Sequence, residues 1–114
     1  MKEKIYISGC GGMLGQAFYH LFSKNYLIKC TDIDINEDWI SFCDVRDLES
    51  YRKDVTSFSP NYLFHLAAYT DLEYCEKNQD NAYLTNTIGV ENAVHIANEL
   101  GVPILYISTA GIFD

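Results

Sequence analysis

Basic residues are scarce in this chain: 8 Lys and Arg stand against 16 Asp and Glu, for a net charge of −8. A protein that grips a nucleic-acid backbone needs a basic face to displace counterions, so no nucleic-acid partner is expected. A pyrophosphate is still open to an acidic chain, because backbone N–H groups can hold one without Lys or Arg. Proline numbers only 2, and there is no internal repeat, linker or low-complexity tract. That composition excludes collagen and a disordered tail. No apolar run approaches the ~20 residues needed to cross a bilayer, so no membrane partner is expected. Met1-Lys2-Glu3-Lys4 leads into an apolar stretch too short for a signal peptide. Cys10, Cys30, Cys43 and Cys75 form no Cys-x-x-Cys pair, which argues against a disulfide framework and a metal cluster. Four reduced thiols fit a cytoplasmic protein. Cys10, inside a glycine-rich turn, is expected to be partly exposed. His20, His65 and His95 have no second His or Cys at ligand spacing, so no metal is expected. His20 reads as a surface or boundary residue, His65 as a hydrogen-bonded core histidine, and His95 as lying on the outer side of its helix.

What is present is enough apolar material for a core: 48% of 114 residues. The length predicts one domain, 1–114. Strand and helix patterns alternate from end to end. Lys4–Ser8, Tyr26–Cys30 leading to Thr31-Asp32, Ile40–Cys43, Tyr62–Leu66 and Ile104–Ser108 read as strands. Met13, Leu14, Ala17, Phe18, Leu21 and Phe22 repeat at helical spacing and predict one buried face. Asp47 is the expected N-cap of a helix with the stripe Leu48, Tyr51, Val55 and Phe58, ended by Ser59-Pro60-Asn61. A third helix is expected from about Asp80 to Leu100, with Val90, Ala93, Val94, Ala97 and Leu100 inward and Gly101 as its C-terminal cap. Alternation of this kind predicts an α/β fold with right-handed crossovers and a parallel sheet of order 3-2-1-4-5, ending after the fifth strand. The ligand crevice then lies beyond the carboxyl ends of strands one and four.

Gly9, Gly12 and Gly15 have the spacing Gly-x-x-Gly-x-x-Gly between the first strand and the first helix. Gly9 permits the tight turn, Gly12 lets the backbone approach a pyrophosphate, and Gly15 lets the helix pack on the sheet. The free N–H groups of the helix start, through Met13, Leu14 and Gly15, would hold the phosphates. Asp32 follows at the end of strand two, where a carboxylate can accept from an adenosine ribose. That favours NAD slightly over NADP, with Lys29 nearby and Asp34 able to take the same role. No Gly-Lys-Ser or Gly-Lys-Thr follows, which disfavours a nucleoside triphosphate loop.

These residues resemble the extended short-chain dehydrogenase/reductase superfamily, a Rossmann-type fold, and within it the dTDP-4-dehydrorhamnose reductase group. Cys43-Asp44-Val45-Arg46-Asp47 is similar to the family's segment after strand three. Leu66-Ala67-Ala68-Tyr69-Thr70-Asp71-Leu72-Glu73-Tyr74-Cys75-Glu76 resembles its Ala-Ala-Ala-(Tyr or His)-Thr-x-Val-Asp-x-Ala-Glu segment. Asn86 matches the Asn of Leu-Asn-x-x, and Ser108-Thr109-Ala110-Gly111-Ile112-Phe113 resembles Ser-Thr-Asp-Tyr-Val-Phe. The resemblance implies that Asp44 and the N–H of Val45 meet the adenine. It implies that Leu66, Ala67, Ala68, Tyr69 and Asn86 line the cofactor, and that Thr109 orients a carbonyl oxygen for reduction. It implies NAD or NADP as cofactor, a 4-keto nucleotide sugar as substrate, and a Tyr-x-x-x-Lys pair that supplies the proton. None of the 9 tyrosines has Lys four residues on, and the family's Asp-Tyr is Ala110-Gly111 here. The chain is therefore expected to bind dinucleotide without catalysing, as the N-terminal portion of a reductase shortened by cloning, proteolysis or a truncated reading frame. A non-catalytic regulatory module of the same fold is the alternative, and a generic nucleotide or flavin binder is a third reading. Glu73, Glu76 and Asp80 read as a solvated face, and Tyr74 and Tyr83 as packing residues. A bare fifth strand predicts a homo-oligomer through that end.

Overall fold

β1 (Glu3–Ser8) is a central strand, because Ile5, Tyr6, Ile7 and Ser8 are all buried and only a strand covered on both faces reads as so continuous a run. The computed structural model describes residues 2–66 and 87–106. β1 pairs in parallel with β2 (Tyr26–Asp32) on one side and β4 (Tyr62–His65) on the other. β3 (Ile40–Phe42) flanks β2, and β5 (Ile104–Tyr106) flanks β4. The result is a five-stranded sheet of order β3-β2-β1-β4-β5, the Rossmann-like order that the alternation predicts. No described helix is long and apolar enough to cross a membrane.

Side chains alternate across the sheet, and each face has its own core. Ile5 and Ile7 meet Cys30, Ile40, Phe18, Tyr19 and Phe22 under α1 (Met13–Phe22). Tyr6 and Leu63 meet Tyr51, Val55, Ala93, Ile96 and Ala97 of α2 (Leu48–Phe58) and α3 (Gly89–Leu100). α2 starts as its sequence dictates: the Asp47 carboxylate accepts from Ser50 N–H at 3.3 Å and Ser50 Oγ at 3.0 Å. It ends at Ser59, and α3 ends at Gly101, each in the left-handed region with φ of 56° and 68°. The predicted start of the third helix, near Asp80, lies outside the described residues.

Two predicted helix faces are met only in part: Phe18 and Phe22 of α1 and Ala93, Ala97 and Leu100 of α3 pack inward as expected, and the rest of each stripe differs. On α1, Gly15, Phe18, Tyr19 and Phe22 turn toward the sheet, while Met13 is 91% exposed and Leu14, Ala17 and Leu21 are also exposed. Phe18 and Phe22 face inward as expected, whereas Met13, Leu14, Ala17 and Leu21 do not; the close approach at Gly15 sets the rotation. On α3, Gly89, Asn92, Ala93, Ile96 and Ala97 are buried, and Val94 is 40% exposed. There an inward-facing asparagine, satisfied by backbone carbonyls, takes a place that periodicity gave to valine.

The ends of β1, β4 and α2 meet in a buried polar triangle. Ser8 Oγ, Tyr51 OH and His65 Nδ1 lie 3.0 Å from one another. His65 Nε2 is buried without a hydrogen-bond partner among the described residues. His65 is a hydrogen-bonded core histidine, as expected, and burial lowers its pKa to about 4. His20 and His95 are exposed, as the sequence predicts.

An imidazole held neutral below its unfolded pKa leaves the unfolded chain to take up the proton first. Its contribution is complete above pH 6.5 and is lost as pH falls to about 4. The loss should reach about 3 kcal/mol from this residue. Denaturant unfolding of the wild type and His65→Gln at pH 7 and pH 4 measures it. The wild type loses more stability on acidification by roughly that amount, and parallel pH slopes would refute the assignment.

Candidate functional site

The carboxyl end of β1 runs into a turn whose shape glycine alone supplies. Gly9 has a φ of 92°, and the N–H groups of Gly9 and Cys10 both donate to the Thr31 carbonyl, at 2.8 and 3.1 Å. A Cβ on Gly15 would lie 2.5 Å from Cys10 Cα and 2.6 Å from the Gly9 oxygen. No side chain fits there, so α1 rests directly on the backbone of the turn. Cys10 lies fully buried beneath it rather than partly exposed. Its thiol donates to the Ile7 carbonyl at 3.5 Å, and the Cys30 thiol beside it and burial push its pKa well above the ordinary range.

α1 begins without a side-chain cap. Gly12 is the N-cap in extended conformation, at φ −86° and ψ 172°. Its carbonyl accepts the first helical bond, from Gln16 N–H. The N–H groups of Gly12, Met13, Leu14 and Gly15 have no partner among the described residues. Unsatisfied N–H groups and the helix dipole together favour an anion at such an end. Gly12 is exposed, and a Cβ on it would meet nothing within 4 Å. The expected residues Gly9, Gly12, Met13, Leu14 and Gly15 are therefore together, with open space before the helix.

Asp32, at the end of β2, borders this turn, but its carboxylate is already engaged. Oδ2 accepts from Gly11 N–H at 2.8 Å and Oδ1 from Asp34 N–H at 3.0 Å. Asn36 Nδ2 donates to the Gly11 carbonyl at 3.2 Å. Each carboxylate oxygen has a further lone pair and can still accept from a hydroxyl. Gly11 is a residue that the spacing did not single out. A Cβ there would lie 2.9 Å from Asp32 Oδ2, and the only signal was the Gly11-Gly12 doublet. Lys29 does not reach this acid. Its Nζ is bound to Asp54 at 2.7 Å, and Asp54 also accepts from Tyr6 OH at 2.6 Å.

Beyond β3, Cys43 N–H donates to the Asp32 carbonyl at 3.2 Å, which joins the next loop to the same edge. The Asp44 carboxylate accepts from Arg46 Nε at 2.9 Å, from Arg46 Nη2 at 2.7 Å and from Arg46 N–H at 3.0 Å. The guanidinium holds its pKa below the usual carboxylate range. Val45 is buried, and its carbonyl accepts from Asn92 Nδ2 at 2.9 Å. Leu66, just past β4, donates its N–H to the Ser8 carbonyl at 2.8 Å. The glycine turn, Asp32, Asp44, Val45 and Leu66 thus share the carboxyl edge of the sheet, where open α/β sheets bind ligands. Ala67, Ala68, Tyr69, Asn86 and Thr109 lie outside the described residues, as do Tyr74, Cys75 and Tyr83. Gly89 and Asn92 were also missed; their signal is a glycine and an asparagine on the buried stripe of α3.

A family model described as the RmlD substrate binding domain matches residues 2–114. In sequence the chain is 29% identical over 111 residues to dTDP-4-dehydrorhamnose reductase of Aggregatibacter actinomycetemcomitans, covering 97% of this chain and 36% of that protein. It is 26% identical over 115 residues to methionine adenosyltransferase 2 subunit beta of Xenopus laevis, covering 99% and 34%. In structure it is similar to dTDP-4-dehydrorhamnose reductase of Bacillus anthracis str. Ames, solved in complex with NADP. The TM-score is 0.81 at 30% identity, over 95% of this chain and 36% of that one. The chain spans about a third of the length of these relatives.

Proposed function

The chain belongs to the RmlD substrate binding domain family, and on that footing we propose that it is the NAD(P)-binding portion of a nucleotide-sugar reductase like dTDP-4-dehydrorhamnose reductase. One observation carries the reading: the uncapped start of α1, with unpaired N–H groups from Gly12 to Gly15 and free space over Gly12. A diphosphate supplies the acceptors these groups lack. Asp32 accepts from the adenosine ribose, and Asp44 with the Val45 N–H meets the adenine. Leu66, Ala67, Ala68, Tyr69 and Asn86 are assigned to the cofactor through the resemblance of their segments to the reductase group. Thr109 offers a hydroxyl to the oxygen of a 4-keto sugar nucleotide. A bound nicotinamide supplies hydride chemistry. The 114 residues contain no Tyr-x-x-x-Lys pair, so binding is the activity proposed for the chain itself.

The cofactor preference follows from charge. A 2′-phosphate beside the Asp32 carboxylate would meet repulsion, and Lys29, bound to Asp54, does not relieve it. NAD is therefore proposed over NADP, although the Bacillus anthracis relative was solved with NADP. The alternative, a non-catalytic regulatory module, draws on the likeness to a protein named as a subunit of methionine adenosyltransferase. Oxidation of NADH by the full-length parent with a dTDP-4-keto sugar favours the reductase. A parent that binds NADH but turns over no such sugar favours the module.

We also propose self-association through β5. Leu105 and Tyr106 of this strand, at the end of the described sheet, are 36% and 38% exposed. Sedimentation should give a mass that rises to a dimer or beyond with concentration; a monomer at every concentration contradicts it.

Gly12→Val tests the phosphate site at a position whose extended backbone any residue adopts and where a Cβ meets nothing within 4 Å. Calorimetric titration of the wild type should detect NADH and give at least about threefold weaker binding of NADPH. The variant should stay folded, with only the modest drop in melting temperature that a poorer N-cap brings, and lose at least about thirtyfold in NADH affinity, roughly 2 kcal/mol. Unchanged affinity in the variant would remove the diphosphate from this turn.

A further inference from the structure

We propose that Asn92 and Gly89 of α3 are positioning residues for the adenine end of the dinucleotide site, acting through the loop Asp44-Val45-Arg46. The proposal rests on the dinucleotide reading above. Asn92 is buried in the middle of a helix, where its type is a weak former and a polar amide has to be satisfied. It is satisfied far away in sequence. Nδ2 donates to the Val45 carbonyl at 2.9 Å and lies 3.3 Å from the Arg46 carbonyl.

The first of these bonds fixes a peptide plane. In a trans peptide the carbonyl and the N–H point in opposite directions. The Val45 carbonyl points at Asn92, so the Arg46 N–H points away from α3, and there it meets Asp44 Oδ1 at 3.0 Å. One peptide is thus held at both ends, by the amide of α3 and by the carboxylate proposed to meet the adenine. The Val45 N–H has no partner among the described residues. It lies in the preceding peptide, inside the turn that the Arg46 N–H to Asp44 Oδ1 bond closes, and a donor beside an acceptor is what the edge of an adenine requires.

Gly89 seats the side chain of the same residue. A Cβ on Gly89 would lie 2.9 Å from Val45 Cγ2 and 3.6 Å from the His65 ring. The first turn of α3 therefore rests on Val45 as closely as a glycine permits, one turn before Asn92 takes its carbonyl. The clamp is linked to the ribose side as well, because Cys43 N–H bonds the Asp32 carbonyl. α3 thus sets the loop at the adenine end from the core opposite the one that α1 covers.

The test uses the full chain and the variants Asn92→Ala and Gly89→Ala. The probes are NADH, which carries an adenine, and inorganic pyrophosphate, which does not. Each variant should bind NADH at least about fivefold more weakly and bind pyrophosphate as the wild type does, which is the scale of one lost hydrogen bond. In the ligand-free protein, amide exchange at Arg46 and Asp47 should rise at least about tenfold in Asn92→Ala, with β1 amides unchanged. Equal weakening of both probes marks general loosening of the fold and overturns the proposal. Unchanged exchange at Arg46 and Asp47 overturns it whatever the binding data give. A wild type that binds no NADH, with loop exchange rising as expected, overturns the dinucleotide reading and the ligand assigned here, a different outcome from failure of the clamp.

Discussion

The contact between Gly15 and the backbone of Gly9 and Cys10 is the constraint from which the site follows. Because a methyl group there would fall 2.5 Å from Cys10 Cα, α1 lies as close to the turn as two backbones can. That approach fixes the rotation of the helix. Phe18, Tyr19 and Phe22 are turned into the core, and Met13 is turned out. It also fixes where the unpaired N–H groups of the first turn face. Anion recognition by a helix start requires those groups to stay uncapped and uncovered. The glycines at 12 and 15 serve opposite ends of that requirement: one leaves space for a ligand, the other removes space between helix and strand.

From that turn a chain of hydrogen bonds runs along the carboxyl edge of the sheet. Gly11 binds Asp32, the Asp32 carbonyl binds Cys43, Asp44 binds Arg46, and the carbonyls of Val45 and Arg46 bind Asn92. Residues from four separate elements and their loops are joined without a single basic side chain at the helix start. An acidic protein can thus offer a binding edge made of backbone donors and acceptors, with carboxylates that restrain the loops. The price is that both oxygens of Asp32 already have partners, which the ribose hydroxyl of the proposed dinucleotide would have to share.

The sheet was legible because its signal is local and redundant. β1 and β4 are continuous apolar runs, Asp47 and Gly101 mark helix ends, and the alternation restricts strand order. The glycine spacing was legible for the same reason: Gly9 supplies a positive φ and Gly15 a close approach, both demands of a tight strand-to-helix turn. The buried faces of α1 and α3 were legible only in part: Phe18, Phe22, Ala93, Ala97 and Leu100 pack inward as expected, and Met13, Leu14, Leu21 and Val94 are exposed. Both helices carry apolar residues around more than one side, and the choice between sides rests on contacts with distant residues, at Gly15 for one and at Asn92 for the other. The burial of Cys10, the capture of Lys29 by Asp54, and the bond from Gly11 to Asp32 were hidden likewise. Each depends on what the fold brings beside a residue, and nothing in its own neighbourhood in sequence announces it.

The central claim is that backbone amides from Gly12 to Gly15 receive the diphosphate of a dinucleotide. Backbone resonance shifts of the isotope-labelled chain during addition of NADH test it residue by residue. The account predicts large, saturable shifts at those four amides. The amides of Ile5 and Tyr6, inside β1, should stay in place. Saturable binding that leaves residues 12 to 15 unmoved, or a folded protein with no shifts at millimolar NADH, would contradict it.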